Sequence, residues 1–204
     1  MSLDFTQTLE AIRGQVLVGN AHIEIWRRLA KRLSEDYSIL YTAPTFFGFT
    51  LMAHEDAAFM YAAKVFDTTK GSLKLERVLQ HAKAHSALDV DVAASLKIAL
   101  DKANEKLARL KVEIDAIRSR RKKLLAHLDP EAISRPEEIA KQSDLTADEL
   151  KRVFESIWDI LNDISKRFLD YSGGELEFEN IGDVENALNL IARTKTSRDH
   201  VFPG

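Results

Sequence analysis

The stretch LDKANEKLARLKVEIDAIRSRRKKLLAHLD, residues 100–129, decides how the rest of the chain is read. Apolar or small residues fall at Leu100, Ala103, Leu107, Leu110, Ile114, Ile117, Leu124 and Leu128. Steps that alternate between three and four mark one buried seam of an amphipathic helix. Arg121 breaks the pattern, because it occupies a seam position where an aliphatic residue is expected. A guanidinium placed there costs free energy unless a polar partner or an anion meets it. Around it stand Arg118, Arg120, Lys122 and Lys123, with His127 and Asp129 just beyond.

The same periodicity recurs along the chain. Asp4 and Gln7 form a capping-box pattern. A helix over about 5–34 then carries Phe5, Leu9, Ile12, Val16, Gly19, Ile23, Trp26, Ala30 and Leu33 on one face. Gly19 on that face permits close approach of a second helix. Pro44 suits the first turn of the next helix, which extends to about Asp67 and is apolar on nearly every side. A helix of that kind is expected to be surrounded by others. His54, Glu55 and Asp56 interrupt it; Ala58 stands where a zinc-protease motif needs its second histidine, so His54 is read as a hydrogen-bonded core or edge residue.

Lys70-Gly71 makes a break, and Ser72 can cap a short helix with Leu75, Val78 and Leu79. His81 and His85 are spaced as a metal pair, but no third ligand stands nearby. The central helix starts near Asp89–Asp91. After Asp129-Pro130 the pattern stops, and Ser134 to Glu138 reads as a loop with a short turn. Thr146 and Glu149 form a second capping box. It opens a helix with Leu150, Phe154, Ile157, Trp158, Leu161, Ile164 and Phe168 inside, closed by Ser172-Gly173-Gly174. Leu176 to Phe178 alternates as a brief extended segment. Asp183 caps a last helix bearing Val184, Leu188 and Ile191, with a frayed tail from Thr194. The expectation is all-α: an up-and-down bundle with additional short helices. The chain reads as one domain over 1–204, with a bundle core over about 5–170 and an appended helix over about 183–195.

Composition narrows the function classes. The 204 residues contain no cysteine, which removes disulfides, thiol nucleophiles and Cys-ligated zinc from consideration. The net charge is −3, yet residues 118–123 hold five of the 29 basic groups. A compact cationic patch on an acidic body can hold a polyanion locally without coating the whole protein in it. The alternative is a solvated charge run at a helix end. Arg27, Arg28, Lys31 and Arg32 form a second basic cluster, read as a solvated face. The N-terminus lacks a secretory pattern, and His54, Glu55 and Asp56 disqualify the most apolar segment as a membrane span, so the expected location is cytoplasmic.

The run from Ile117 to Asp129 resembles the signature of HEPN-domain proteins: an Arg, a spacer of four to six residues, then a His at the end of a bundle helix. It is most similar to the abortive-infection U-type (AbiU-like) branch, whose motif tends to read Arg-polar-Lys-x-x-Ala-His-x-Asp. Ala63 to Asp67, followed by Ser72, Leu73 and Leu79, resembles that branch's second helix and turn. Lys122 stands where the family commonly has Asn, Asp or His. Asp129 stands where HEPN toxins paired with nucleotidyltransferase antitoxins often have Tyr, which ranks that partnership lower.

The resemblance implies a HEPN-like helical bundle and metal-independent endoribonuclease activity with no cofactor. Arg121 and His127 would be catalytic, Arg118, Arg120, Lys122 and Lys123 would bind RNA, and Asp129 would support the site. It also implies a homodimer with the motifs facing across the two-fold, an antitoxin or defence partner, and a role in phage defence or as a toxin. At about 100° per residue, Arg121 and His127 lie roughly 120° apart on an unbroken helix. Either the helix loosens after Arg121 or two protomers share the site. Two alternatives stand beside the nuclease. One is a non-catalytic HEPN-like module that binds RNA, nucleotide or protein. The other is a helical scaffold with Arg121 paired to a carboxylate of its own protomer.

Overall fold

The computed structural model describes residues 4–36, 43–86, 90–122, 145–169, 174–176 and 182–201. Seven helices and no strand occur among them: α1 (Phe5–Glu35), α2 (Pro44–Val65), α3 (Leu75–Ser86), α4 (Val90–Arg109), α5 (Lys111–Arg120), α6 (Ala147–Leu169) and α7 (Asp183–Val201). Both capping boxes form. The Gln7 backbone N–H donates to Asp4 Oδ1 at 2.7 Å, and Thr146 and Glu149 exchange backbone-to-side-chain bonds of 2.8 and 3.2 Å. Each satisfies N–H groups that a helix start leaves without intrahelical acceptors.

The architecture is an all-α bundle. Helix α1 lies against both α2 and α6, α4 packs between α6 and α3, and α3 returns to α1. One continuous core collects Leu9, Ile12 and Val16 of α1, Phe59 and Ala62 of α2, Val78 of α3, Leu96 of α4, Ile117 of α5 and Phe154 of α6. Gly19 explains how closely α1, α2 and α6 approach. A Cβ there would stand 2.4 Å from Phe154 Cζ and 3.0 Å from Tyr61 Cβ, inside contact distance for carbon. Leu188 of α7 joins Leu29, Leu33 and Phe47 in a second, smaller cluster.

Several expectations are corrected. The central helix is two: α4 ends at Arg109, and α5 starts at Lys111 after a turn at Leu110. Its seam survives the break, with Ala103, Ile114 and Ile117 buried. On α1, Ala30 is exposed and Leu29 is inside, because the last turns of α1 face the Phe47 and Leu188 cluster. Helix α2 is not enclosed: Phe46, Phe49 and Met52 project outward, 62%, 67% and 58% exposed. Ser72 does not cap α3; its hydroxyl donates to the Thr69 carbonyl, and Gly71, at φ 86°, turns the chain before Leu75. Helix α7 continues to Val201, past the residue where fraying was expected. The loop at 38–42, the turn at 134–138 and most of the extended segment at 176–178 lie outside the described residues. Among the described residues no helix is long and apolar enough to cross a membrane.

Candidate functional site

The site forms where the end of α5 meets the end of α2. Helix α5 is ten residues long and is held by the buried side chains of Ile114 and Ile117. Burying each from water is worth about 2 kcal/mol. Those anchors set the azimuth of the next turn, where the basic residues begin. Residues 121–122 continue the helical path in a π-type turn, with Arg121 at φ −55° and ψ −51° and its backbone N–H still reaching the Ile117 carbonyl.

The basic residues then divide between two environments. Arg120 turns inward and is 13% exposed. It donates from Nη2 to Glu55 Oε1 at 2.6 Å, stands 3.4 Å from Asp56 Oδ1, and lies over the Phe59 ring at 4.0 Å. The polar interruption of α2 is thereby explained, since Glu55 and Asp56 meet the guanidinium that α5 delivers. Arg121 turns the other way, toward the end of α2, and is 35% exposed. Its Nη1 lies 3.1 Å from Asp67 Oδ1. That oxygen also accepts from the Thr69 backbone N–H at 2.9 Å and the Thr69 hydroxyl at 2.8 Å. Three donors thus converge on one carboxylate oxygen. They hold the Asp67 carboxyl below its ordinary range, the Thr69 backbone bond first and the Thr69 hydroxyl and Arg121 after it.

Asp67, Thr69 and Arg121 line an open cavity of 310 Å³ together with Arg118, Lys122 and Phe66. Three cations face one carboxylate there. Arg118 is tied by Nε to the Phe66 carbonyl at 3.2 Å, while its Nη1 is 3.9 Å from Asp115. The structure therefore brings together Arg118, Arg121 and Lys122 of the expected site and sends Arg120 elsewhere. Lys123, His127 and Asp129 lie outside the described residues. Sequence reading named Asp67 only within the family resemblance of α2, not as a site residue, and did not single out Thr69. The signal was present, since Asp-Thr-Thr before Lys70-Gly71 is an Asx-turn pattern that closes a helix.

Elsewhere, the second basic cluster is paired, Arg28 and Arg32 through their terminal nitrogens, while Arg28 Nε and Arg32 Nε are buried without a hydrogen-bond partner among the described residues. Arg27 meets Asp148 at 2.9 Å and Glu24 at 3.2 Å, Arg28 meets Glu185 at 4.0 Å, and Arg32 meets Asn189 at 3.4 Å. The second basic cluster is a paired surface that docks α1 beside α6 and α7. His54 is half-buried, its Nδ1 2.9 Å from Nδ1 of His22. Burial lowers the pKa of both imidazoles, and their mutual repulsion adds to the effect at His22.

The all-α bundle, with the Arg121-to-His127 spacing in the sequence that follows α5, accords with a HEPN-type protein. The chain belongs to the AbiU2 family of HEPN-domain proteins, whose model matches residues 2–186. No curated protein and no solved structure matches it.

Proposed function

We propose that this chain is a metal-independent endoribonuclease of the HEPN type, serving phage defence or acting as a toxin. The observation that supports it is the Arg121 cavity, where three donors aimed at a single anionic oxygen sit in an open pocket with a surplus of positive charge. A guanidinium so placed suits a phosphodiester, which it grips through paired N–H bonds and whose growing transition-state charge it stabilises. His127 takes the proton of the ribose 2′-hydroxyl, as a neutral imidazole can near physiological pH. The 2′-oxygen forms a bond to phosphorus, the bond from phosphorus to the 5′-oxygen breaks, and that oxygen takes up a proton. The products are a 2′,3′-cyclic phosphate and a free 5′-hydroxyl. The reading includes a homodimer that brings two copies of the motif to one cleft.

The test is RNA cleavage by the purified chain in excess EDTA, beside Arg121→Ala and His127→Ala. Loss of the phosphate donor costs on the order of 10²–10³ in rate, and loss of the base on the order of 10²–10⁴. Equal cleavage by all three proteins, or none by the wild type on varied RNAs, overturns the reading.

The Arg121–Asp67 pair at 3.1 Å favours a second reading, a helical scaffold in which Arg121 is structural, because it gives Arg121 a partner within its own protomer. That scaffold has no affinity for phosphate and leaves RNA both unbound and intact.

A further inference from the structure

A second, larger cavity of 510 Å³ opens on the other side of Arg118. It shares Phe66, Asp67 and Arg118 with the Arg121 cavity, so the two are neighbouring compartments with a common wall. Their chemistry differs. In the smaller one, Arg118, Arg121 and Lys122 outnumber Asp67. In the larger one the ionic rim is neutralised in place: Lys74 meets Glu76 at 3.0 Å, and Lys111 meets Asp115 at 2.9 Å. Its walls are aliphatic, from Leu75, Leu79, Leu107 and Ile114. Asn104 stands exposed at its edge with an amide that can both donate and accept.

The geometry points to a nucleobase subsite in this groove, adjoining the phosphate compartment. The inference rests on the reading of the Arg121 cavity as a phosphodiester site. A cavity of a few hundred Å³ is of the size that receives a small ligand. An apolar wall and a neutralised rim suit an uncharged aromatic ring and offer little to a second phosphate. Arg118, on the shared wall and 46% exposed, presents a guanidinium on which a base can stack. The Asn104 amide can pair with a base edge, which would give the protein a preference among bases at that one position. The occupant is the base of the nucleotide next to the gripped phosphate, on a single strand whose bases are free to turn out.

The experiment uses the full chain and a 2′-O-methyl pentanucleotide, which lacks the attacking hydroxyl and survives the assay. Binding is measured at low salt for the complete oligonucleotide and for five versions, each with one base removed. One abasic position is expected to weaken binding on the order of tenfold, the scale of one stacked base. Ala108→Trp fills the groove from an exposed helix position and is expected to abolish that difference while preserving affinity for the abasic strand. Asn104→Ala is expected to flatten the preference among the four bases at the same position. Equal affinity for all five abasic strands, with binding still weakened by Arg121→Ala, overturns the base subsite and leaves the phosphate site standing. Binding that ignores Arg121→Ala, or no binding at all, removes both.

Discussion

Arg121 Nη1 and Asp67 Oδ1 lie 3.1 Å apart across the junction of α5 and α2, in an open cavity. The carboxylate holds the guanidinium in place, and it also occupies the anion position that the guanidinium and Thr69 define. Asp67→Asn keeps the shape and removes the charge. Affinity for RNA at low salt is expected to rise about three- to tenfold, because an anion beside the phosphate is gone; the lost, partly buried pair costs about 1 kcal/mol of stability. Filter binding and thermal melting check the two effects, and unchanged affinity would remove Asp67 from the anion site.

Arg120 and Arg121 are neighbours in sequence but are expected to separate in assay. Arg121→Ala, Arg118→Ala and Lys122→Ala should each lower the salt dependence of RNA binding by about one counterion. Arg120→Ala should leave that slope unchanged and instead destabilise the fold by about 1–3 kcal/mol, since Glu55 and Asp56 lose their cation. The pair of measurements, binding against log salt and denaturant unfolding, would show opposite profiles for the two arginines.

The facing imidazoles of His22 and His54 predict acid sensitivity. Both have pKa values lowered from an unfolded value of about 6.5. In the window below that value the unfolded chain binds more protons than the folded one, so stability rises with pH there. Stability from this pair is complete above about pH 6.5 and is lost as pH falls through the lowered folded values. The melting temperature is expected to drop between pH 7 and pH 5, and His22→Gln should reduce that drop. An unaltered profile in the variant would assign the acid loss to other groups.

Gly19→Ala places a methyl group 2.4 Å from Phe154 Cζ in a packed core. Overpacking of this kind costs about 1–3 kcal/mol. Gly14→Ala, where no atom lies within 4 Å, should instead stabilise by about 0.5–1 kcal/mol through helix propensity. Denaturation midpoints moving in the same direction for both would contradict the packing described for α1.

The helices themselves were legible because three- and four-residue steps report burial directly. The inner face of α1 from Phe5 to Ile23, that of α6 and both capping boxes follow from residue spacing. What spacing could not supply is which guanidinium goes inside. Periodicity pointed to Arg121, yet Arg120 sits deeper, and the buried Arg13, bonded to Asn162 and Ser165 at 3.0 and 2.7 Å, gave no sign at all. Those positions depend on acceptors on distant segments, and one chain's periodicity carries no information about them. For the same reason Asp67 was missed as a site residue, since its role appears only when the end of α2 meets the end of α5. The open side of α2 was misread because composition reports how apolar a helix is and not how many neighbours it finds.

The turn at Leu110 has a mechanical consequence. A continuous rod from Val90 to Arg120 would have fixed the heading of its tip through its own length. A ten-residue segment beginning at Lys111 inherits that stiffness only through the backbone bonds that Leu110 keeps to Lys106 and Ile114. The heading of Arg121 is therefore set sideways, by two isoleucines seated in the core and by the grip of Arg120 on the neighbouring helix. The signature rides on a short strut pinned from the flank, and its aim is a property of those pins.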